Sequence, residues 1–185
     1  MRRSAVALGL ISGVAVIVVG LAMTRGPSPS GAGRFPSRAI APPDAFCGGI
    51  LTTLDDVRQN APYPVLLPSG PLANASNVKD VCWDPSPVHG VSMKFTSGIF
   101  YEISPNAFAD PEGAWKQIIA AYPGAGYALG AVRGYPALLA EPGGTLNLLG
   151  LVEWVENGLQ IKVEGNGKIP LAGLEAIAES LSGHN

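Results

Sequence analysis

Reactive and charged side chains are scarce in this 185-residue sequence, and each shortage closes off a class of chemistry. Charged residues make up 14% of the chain against 47% hydrophobic, a balance that excludes a disordered polyelectrolyte. There are two histidines, His89 and His184, and two cysteines, Cys47 and Cys82. None of the four stands at a ligand spacing such as C-x-x-C or H-E-x-x-H, so no metal is expected. The twelve Lys and Arg form no stripe, and phosphate binding needs clustered cations. Nucleic acid is therefore not an expected partner. Internal repeats are absent as well, which excludes a solenoid.

What charge there is sits unevenly. Up to Pro43 the chain carries Arg2, Arg3, Arg25, Arg34 and Arg38 and no acid, whereas from Asp44 onward fourteen acids face seven bases. Within the basic part, Ala5 to Met23 is a run of 19 uncharged residues, ten of them Val, Ile or Leu. A helix rising about 1.5 Å per residue over that length approaches the roughly 30 Å hydrocarbon core of a bilayer. Residues 5–23 are thus expected to form a transmembrane helix with the lipid bilayer as partner. A cleaved signal peptide is the alternative, but a signal core spans about 7–15 apolar residues and the candidate site Gly20-Leu21-Ala22 lies inside the run. Arginines flank the run on both sides, and the short tail of residues 1–4 is expected to stay cytoplasmic, placing the C-terminal body outside. Cys47 and Cys82, 35 positions apart, are then expected to pair as a disulfide, with two buried thiols as the alternative. Residues 24–46, rich in Pro, Gly and Ser, read as a tether.

The body, residues 47–182 with a tail at 183–185, reads as an α+β domain: an antiparallel β-sheet with two or three packed helices. Thr53-Leu54-Asp55-Asp56 predicts a capped helix reaching about Asn60. Pro62 and Pro64 end it, and Tyr63 to Pro68 reads as an extended edge. Val91, Met93 and Phe95 alternate with polar residues, as do Ile99, Tyr101 and Ile103, with Ser97-Gly98 as a hairpin turn between them. Asp110-Pro111 starts a helix whose Trp115, Ile118, Ile119 and Tyr122 share one face. Val152–Glu156 and Leu159–Val163 flank Asn157-Gly158, the pair that a two-residue type I′ turn requires. A last helix carries Leu171, Leu174, Ile177, Ala178 and Leu181 on its apolar stripe, leaving Glu175 and Glu179 wet.

Fragments of catalytic motifs lack their contexts. Ser76-Asn77-Val78-Lys79 matches S-x-x-K, but the accompanying S-D-N and K-T-G elements are missing. In Gly165-Asn166-Gly167-Lys168 an Ile follows where a phosphate loop needs a hydroxyl. Gly124, Gly126 and Gly130 miss the dinucleotide spacing. Asn74-Ala75-Ser76 has the form of a glycosylation sequon. Asp55-Asp56 looks like helix capping, and Glu153 and Glu156 straddle a strand near its turn. Trp83, Trp115 and Trp154 read as core rather than as pocket walls. No catalytic residue and no cofactor are expected.

Three stretches carry a resemblance. Thr53–Val57 with Tyr63–Pro68, Gly134-Tyr135-Pro136-Ala137, and Val152–Gly158 with Ala176–Leu181 resemble an uncharacterised extracytoplasmic domain family of Gram-positive bacteria. That family often follows one transmembrane helix in anti-sigma-factor-like or sporulation-related proteins. The resemblance implies an antiparallel sheet with packed helices, remotely akin to lipoprotein carriers and periplasmic sensors, and assigns no catalytic residues. With four residues before the apolar run, a sigma-binding domain ahead of it is not expected. The expectation is a membrane-anchored extracytoplasmic binding or interaction domain without catalytic activity, meeting a lipid, another apolar ligand or an envelope protein. A hydrolase whose acids converge only in space and a structural accessory subunit of an envelope complex are the alternatives.

Overall fold

A computed structural model describes residues 47, 49–85, 89–143 and 149–183. The expected cytoplasmic tail, transmembrane helix and tether (residues 1–46) lie outside the described residues, as does His184. Among the described residues no helix is long and apolar enough to cross a membrane.

Eight strands form one antiparallel sheet: β1 (Ile50–Thr52), β3 (Val78–Trp83), β4 (Val91–Phe95), β5 (Phe100–Pro105), β6 (Tyr127–Val132), β7 (Tyr135–Ala140), β8 (Leu151–Glu156) and β9 (Leu159–Glu164). Their spatial order is β1-β3-β4-β5-β9-β8-β7-β6, so the sheet is two meanders joined where β5 pairs with β9. That central pairing runs from Phe100 opposite Glu164 to Pro105 opposite Leu159. The antiparallel α+β expectation is met, with three α-helices among the described residues: α1 (Leu54–Asn60), α2 (Pro111–Ala121) and α3 (Leu171–Glu179).

Period-two alternation decides which face is dry. Val91, Met93 and Phe95 on β4, Tyr101 and Ile103 on β5, Val152 and Trp154 on β8, and Ile161 and Val163 on β9 are buried in one continuous core. Val57 of α1 and Leu174, Ile177 and Ala178 of α3 close that core from above. Two short strands, β2 (Leu66–Leu67) and β10 (Ser182–Gly183), pair beside it, and Leu67 is 1% exposed. The extended segment after Pro64 thus contributes only two strand residues. Ser182–Gly183 form a strand where the sequence suggests the fold is ending.

Helix α2 serves the opposite face. Leu138 and Ala140 alternate with core-facing Ala137 and Leu139, so they point the other way, and they too are buried. Helix α2 packs on β6 and β7 there, with Trp115 fully buried and edge-on to Phe108 at 5.1 Å. The expected four-residue face of α2 is narrower in fact. Ile118 and Ile119 are only half-buried, and Tyr122, past the helix end, is 54% exposed. Local signals otherwise act as read. The Thr53 hydroxyl accepts from Asp56 N–H at 3.1 Å and the Asp110 carboxylate from Gly113 N–H at 3.0 Å. Asn157 and Gly158 hold φ of 51° and 78°, the left-handed pair of a type I′ turn. Cys47 and Cys82 are joined, their Cα atoms 5.5 Å apart.

Candidate functional site

Helix α2 packs on β6 and β7, and among the described residues no helix lies over the outer face of β4, β5, β9 and β8, where the polar residues of four strands collect. Register brings them together. Glu102 of β5 stands opposite Lys162 of β9, which stands opposite Glu153 of β8, so one ammonium lies in a row between two carboxylates. Glu164, two residues beyond Lys162, shares the face. The Lys162 Nζ is 3.0 Å from Glu102 Oε2 and 3.6 Å from Glu164 Oε2, and 5.2 Å from the centre of the Phe100 ring. Gln160, on the same face of β9, donates its side-chain N–H to Glu153 Oε1.

Charges in this row perturb one another. Burial raises the proton affinity of the Glu153 carboxyl above the ordinary carboxylate range, Gln160 and Lys162 pull it back, and Glu102 and Glu164 add to the rise. For Lys162 burial works against the charged form. Glu102 and Glu164 outweigh it, and the ammonium is held more tightly protonated than usual. Lys162 therefore remains a cation across the physiological range and is no candidate for a neutral amine nucleophile.

Beside the row runs an open groove of about 560 Å³, lined by Lys94, Phe100, Leu149, Lys162, Glu164 and Asn166. Its end wall depends on glycine. Gly98 sits at φ +84°, and a Cβ there would meet Asn166 Nδ2 at 2.7 Å, whereas that amide now donates to Ser97 O at 3.0 Å. Leu149 is 45% exposed in the groove, and Lys94 is exposed with no ion pair among the described residues. The groove offers a ligand the apolar Phe100 and Leu149 with Lys94 at their side, opposite Asp80 of β3.

Most of the singled-out motif residues serve the fold. Asn74 caps a 3-10 turn at Ala75–Asn77 and donates Nδ2 to Gly70 O at 2.9 Å, so the sequon amide is already engaged. Ser76 lies in that turn and Lys79 on β3, not on the helix that S-x-x-K chemistry requires. Asn166 Oδ1 accepts from Lys168 N–H at 3.0 Å, closing the Gly165–Lys168 stretch as a turn. His89 stacks on Trp83 at 5.8 Å between ring centres, and its carbonyl accepts from the Tyr63 hydroxyl. Trp83, Trp115 and Trp154 are all buried. Among the described residues no group of three His, Cys, Asp or Glu is placed to hold a metal ion.

Glu153 and Glu156 point to opposite faces of β8. Glu156 lies on the core side, 7% exposed, where Arg133 Nε donates to its Oε2 at 2.8 Å and Trp154 Nε1 to the same oxygen at 3.2 Å. Arg133 also donates through Nη1 to Leu181 O at 2.7 Å, and its backbone N–H donates to Glu179 Oε1 at 2.7 Å. Glu179, expected to be simply wet, thus anchors the β6–β7 turn to the end of α3. Neither this clamp nor the Glu102–Lys162–Glu153 row announces itself in the sequence. Both depend on strand register between segments dozens of residues apart.

Comparison with known proteins finds no family model, no curated protein and no solved structure that matches this chain.

Proposed function

We propose that the chain is a membrane-anchored extracytoplasmic binding or interaction domain without catalytic activity, and that its ligand-facing surface is the groove beside Lys162. One observation carries this reading. Glu102, Glu164 and Glu153 are spent on Lys162 and Gln160, while the adjoining groove keeps an exposed Leu149 and Lys94, which stands opposite Asp80 of β3 but forms no ion pair among the described residues. A groove with Phe100 and Leu149 in its wall, beside acids already held by Lys162 and Gln160, suits a lipid or the apolar segment of an envelope partner better than a reaction. The uncharged run Ala5–Met23 supports the anchor, and the Cys47–Cys82 bond supports an oxidising compartment. Short likenesses to extracytoplasmic domains that follow a single membrane helix point the same way.

The rival is a hydrolase in which Glu153 acts as the acid, and its raised proton affinity is the observation in that reading's favour. Native mass spectrometry of the full chain, released from a neutral detergent, separates the two. A co-purifying apolar or amphipathic species, one per chain and lost in Leu149→Asp and Lys94→Glu, is the expected result. A chain that carries nothing, but hydrolyses an envelope substrate and stops doing so in Glu153→Gln, would establish the rival. Protease added to intact cells without an outer barrier should remove the body; its survival until lysis would refute the outward orientation.

A further inference from the structure

The two ends of the sheet are unlike. Strand β1 is three residues long and lies beside the disulfide, a short edge of the kind that resists further pairing. Strand β6 is a six-residue edge without a charge, a proline or a register break along its pairing with β7. From Gln117 to Val132 the chain has no charged side chain at all. Natural edges of this length are ordinarily blunted by a lysine, a proline or a bulge, and β6 has none of them.

Hairpin geometry says which backbone groups are free. Val132 and Tyr135 flank the two-residue turn Arg133-Gly134, whose φ values are 53° and 83°, so they form a hydrogen-bonded pair. Alternate residues therefore bond to β7 (Ala128, Gly130 and Val132), while the N–H and C=O groups of Tyr127, Leu129 and Ala131 point outward. None of these three has a backbone partner beyond β7 among the described residues. Leu129, at the middle of the outward row, is 39% exposed.

We infer that β6 pairs with β6 of a second copy of this chain, antiparallel and about a two-fold axis through Leu129. That register sets Leu129 against its own copy and Tyr127 against Ala131, a large side chain against a small one. It forms about six backbone hydrogen bonds between the copies and continues one sheet through both. An edge without charge is compatible with itself, because no like charges meet across the axis, and Arg133 falls beyond the paired stretch. This surface is independent of the groove at Lys94, so either assignment stands without the other.

Light scattering coupled to gel filtration, on the full chain in neutral detergent, tests the pairing. The expected mass is that of two copies. Leu129→Lys and Ala131→Lys, both at exposed positions, should each weaken association by at least about tenfold, while melting as the parent does when all are diluted to single copies. Leu51→Lys, on the opposite edge, should leave the dimer intact. In the same detergent Leu129→Cys should cross-link to its copy with a short bifunctional reagent, and Leu51→Cys should not. A single-copy mass at high micromolar concentration overturns the inference. So does a dimer that both lysine variants leave whole, which would place association in residues 5–23 or elsewhere, and so does equal cross-linking from Leu51→Cys.

Discussion

Arg133 holds a backbone conformation at φ 53° that side-chain-bearing residues seldom adopt, and from that turn its guanidinium reaches Glu156 and Leu181 O. Burial alone would raise the proton affinity of Glu156. The hydrogen bonds from Arg133 and Trp154 outweigh it, and the carboxyl is held below its ordinary range. A carboxyl lowered in the folded state stabilises the fold above the ordinary carboxylate range and stops doing so as pH falls through the lowered value. Glu153, three residues earlier on the same strand, behaves oppositely. Its affinity is raised, so its ionisation costs stability as pH climbs from the ordinary range through the raised value. Two glutamates on one strand should therefore give thermal melts of opposite sign. Glu156→Gln is expected to lower Tm at neutral pH and to converge on the parent in acid. Glu153→Gln should raise Tm at neutral pH and also converge in acid. Equal shifts at both pH values would refute the assignment. Arg133→Gln, which strands the Glu156 carboxylate in the core, should cost about 3 kcal/mol by chemical denaturation.

At the scale of elements, turn chemistry and capping dominate. Nothing lies within 4 Å of a Cβ built on Gly158, so Gly158→Ala isolates the conformational cost of the β8–β9 turn. A loss of about 1–2 kcal/mol is expected in urea titration, and no loss would mean that the turn relaxes. Asp110→Ala should cost about 1 kcal/mol through the lost cap on α2. These are also the elements the sequence shows most openly, because Asn-Gly between alternating runs and Asp-Pro before an apolar face are local signals. The β6–β7 hairpin uses the same left-handed turn but presents it as Arg133-Gly134, between strands too uniformly apolar to alternate. Pro136 hides it further. Proline lacks a donor, yet the pairing of β7 with β8 begins only at Ala137, so the missing N–H falls where no ladder bond is needed. Periodicity also overstates α2. It shows which residues share a face, not how much surface lies beneath them, and Tyr122 has outrun the sheet.

Across the whole molecule, composition and alternation were enough for an antiparallel α+β domain. The outer-face row was not legible, since Glu102, Lys162 and Glu153 meet only once β5, β9 and β8 lie in register. The two cysteines and the expected outward placement of the body did point to the pair. Closing a 35-position loop removes about 4 kcal/mol of unfolded-chain entropy, so replacing both cysteines by alanine should lower Tm by on the order of 10 °C. A parent-like Tm would refute that. The same bond has a mechanical consequence. Tension arriving from the N-terminal side of Cys47 is handed straight to Cys82 in β3, and the stretch between them is bypassed. At about 3.5 Å per position, roughly 120 Å of contour length stays locked while the rest of the fold is pulled apart. If residues 5–23 anchor the chain as proposed, a pull from the bilayer loads β3 at Cys82 and leaves the 35-position loop unstretched. Stretching single molecules before and after adding a reductant should reveal the hidden slack.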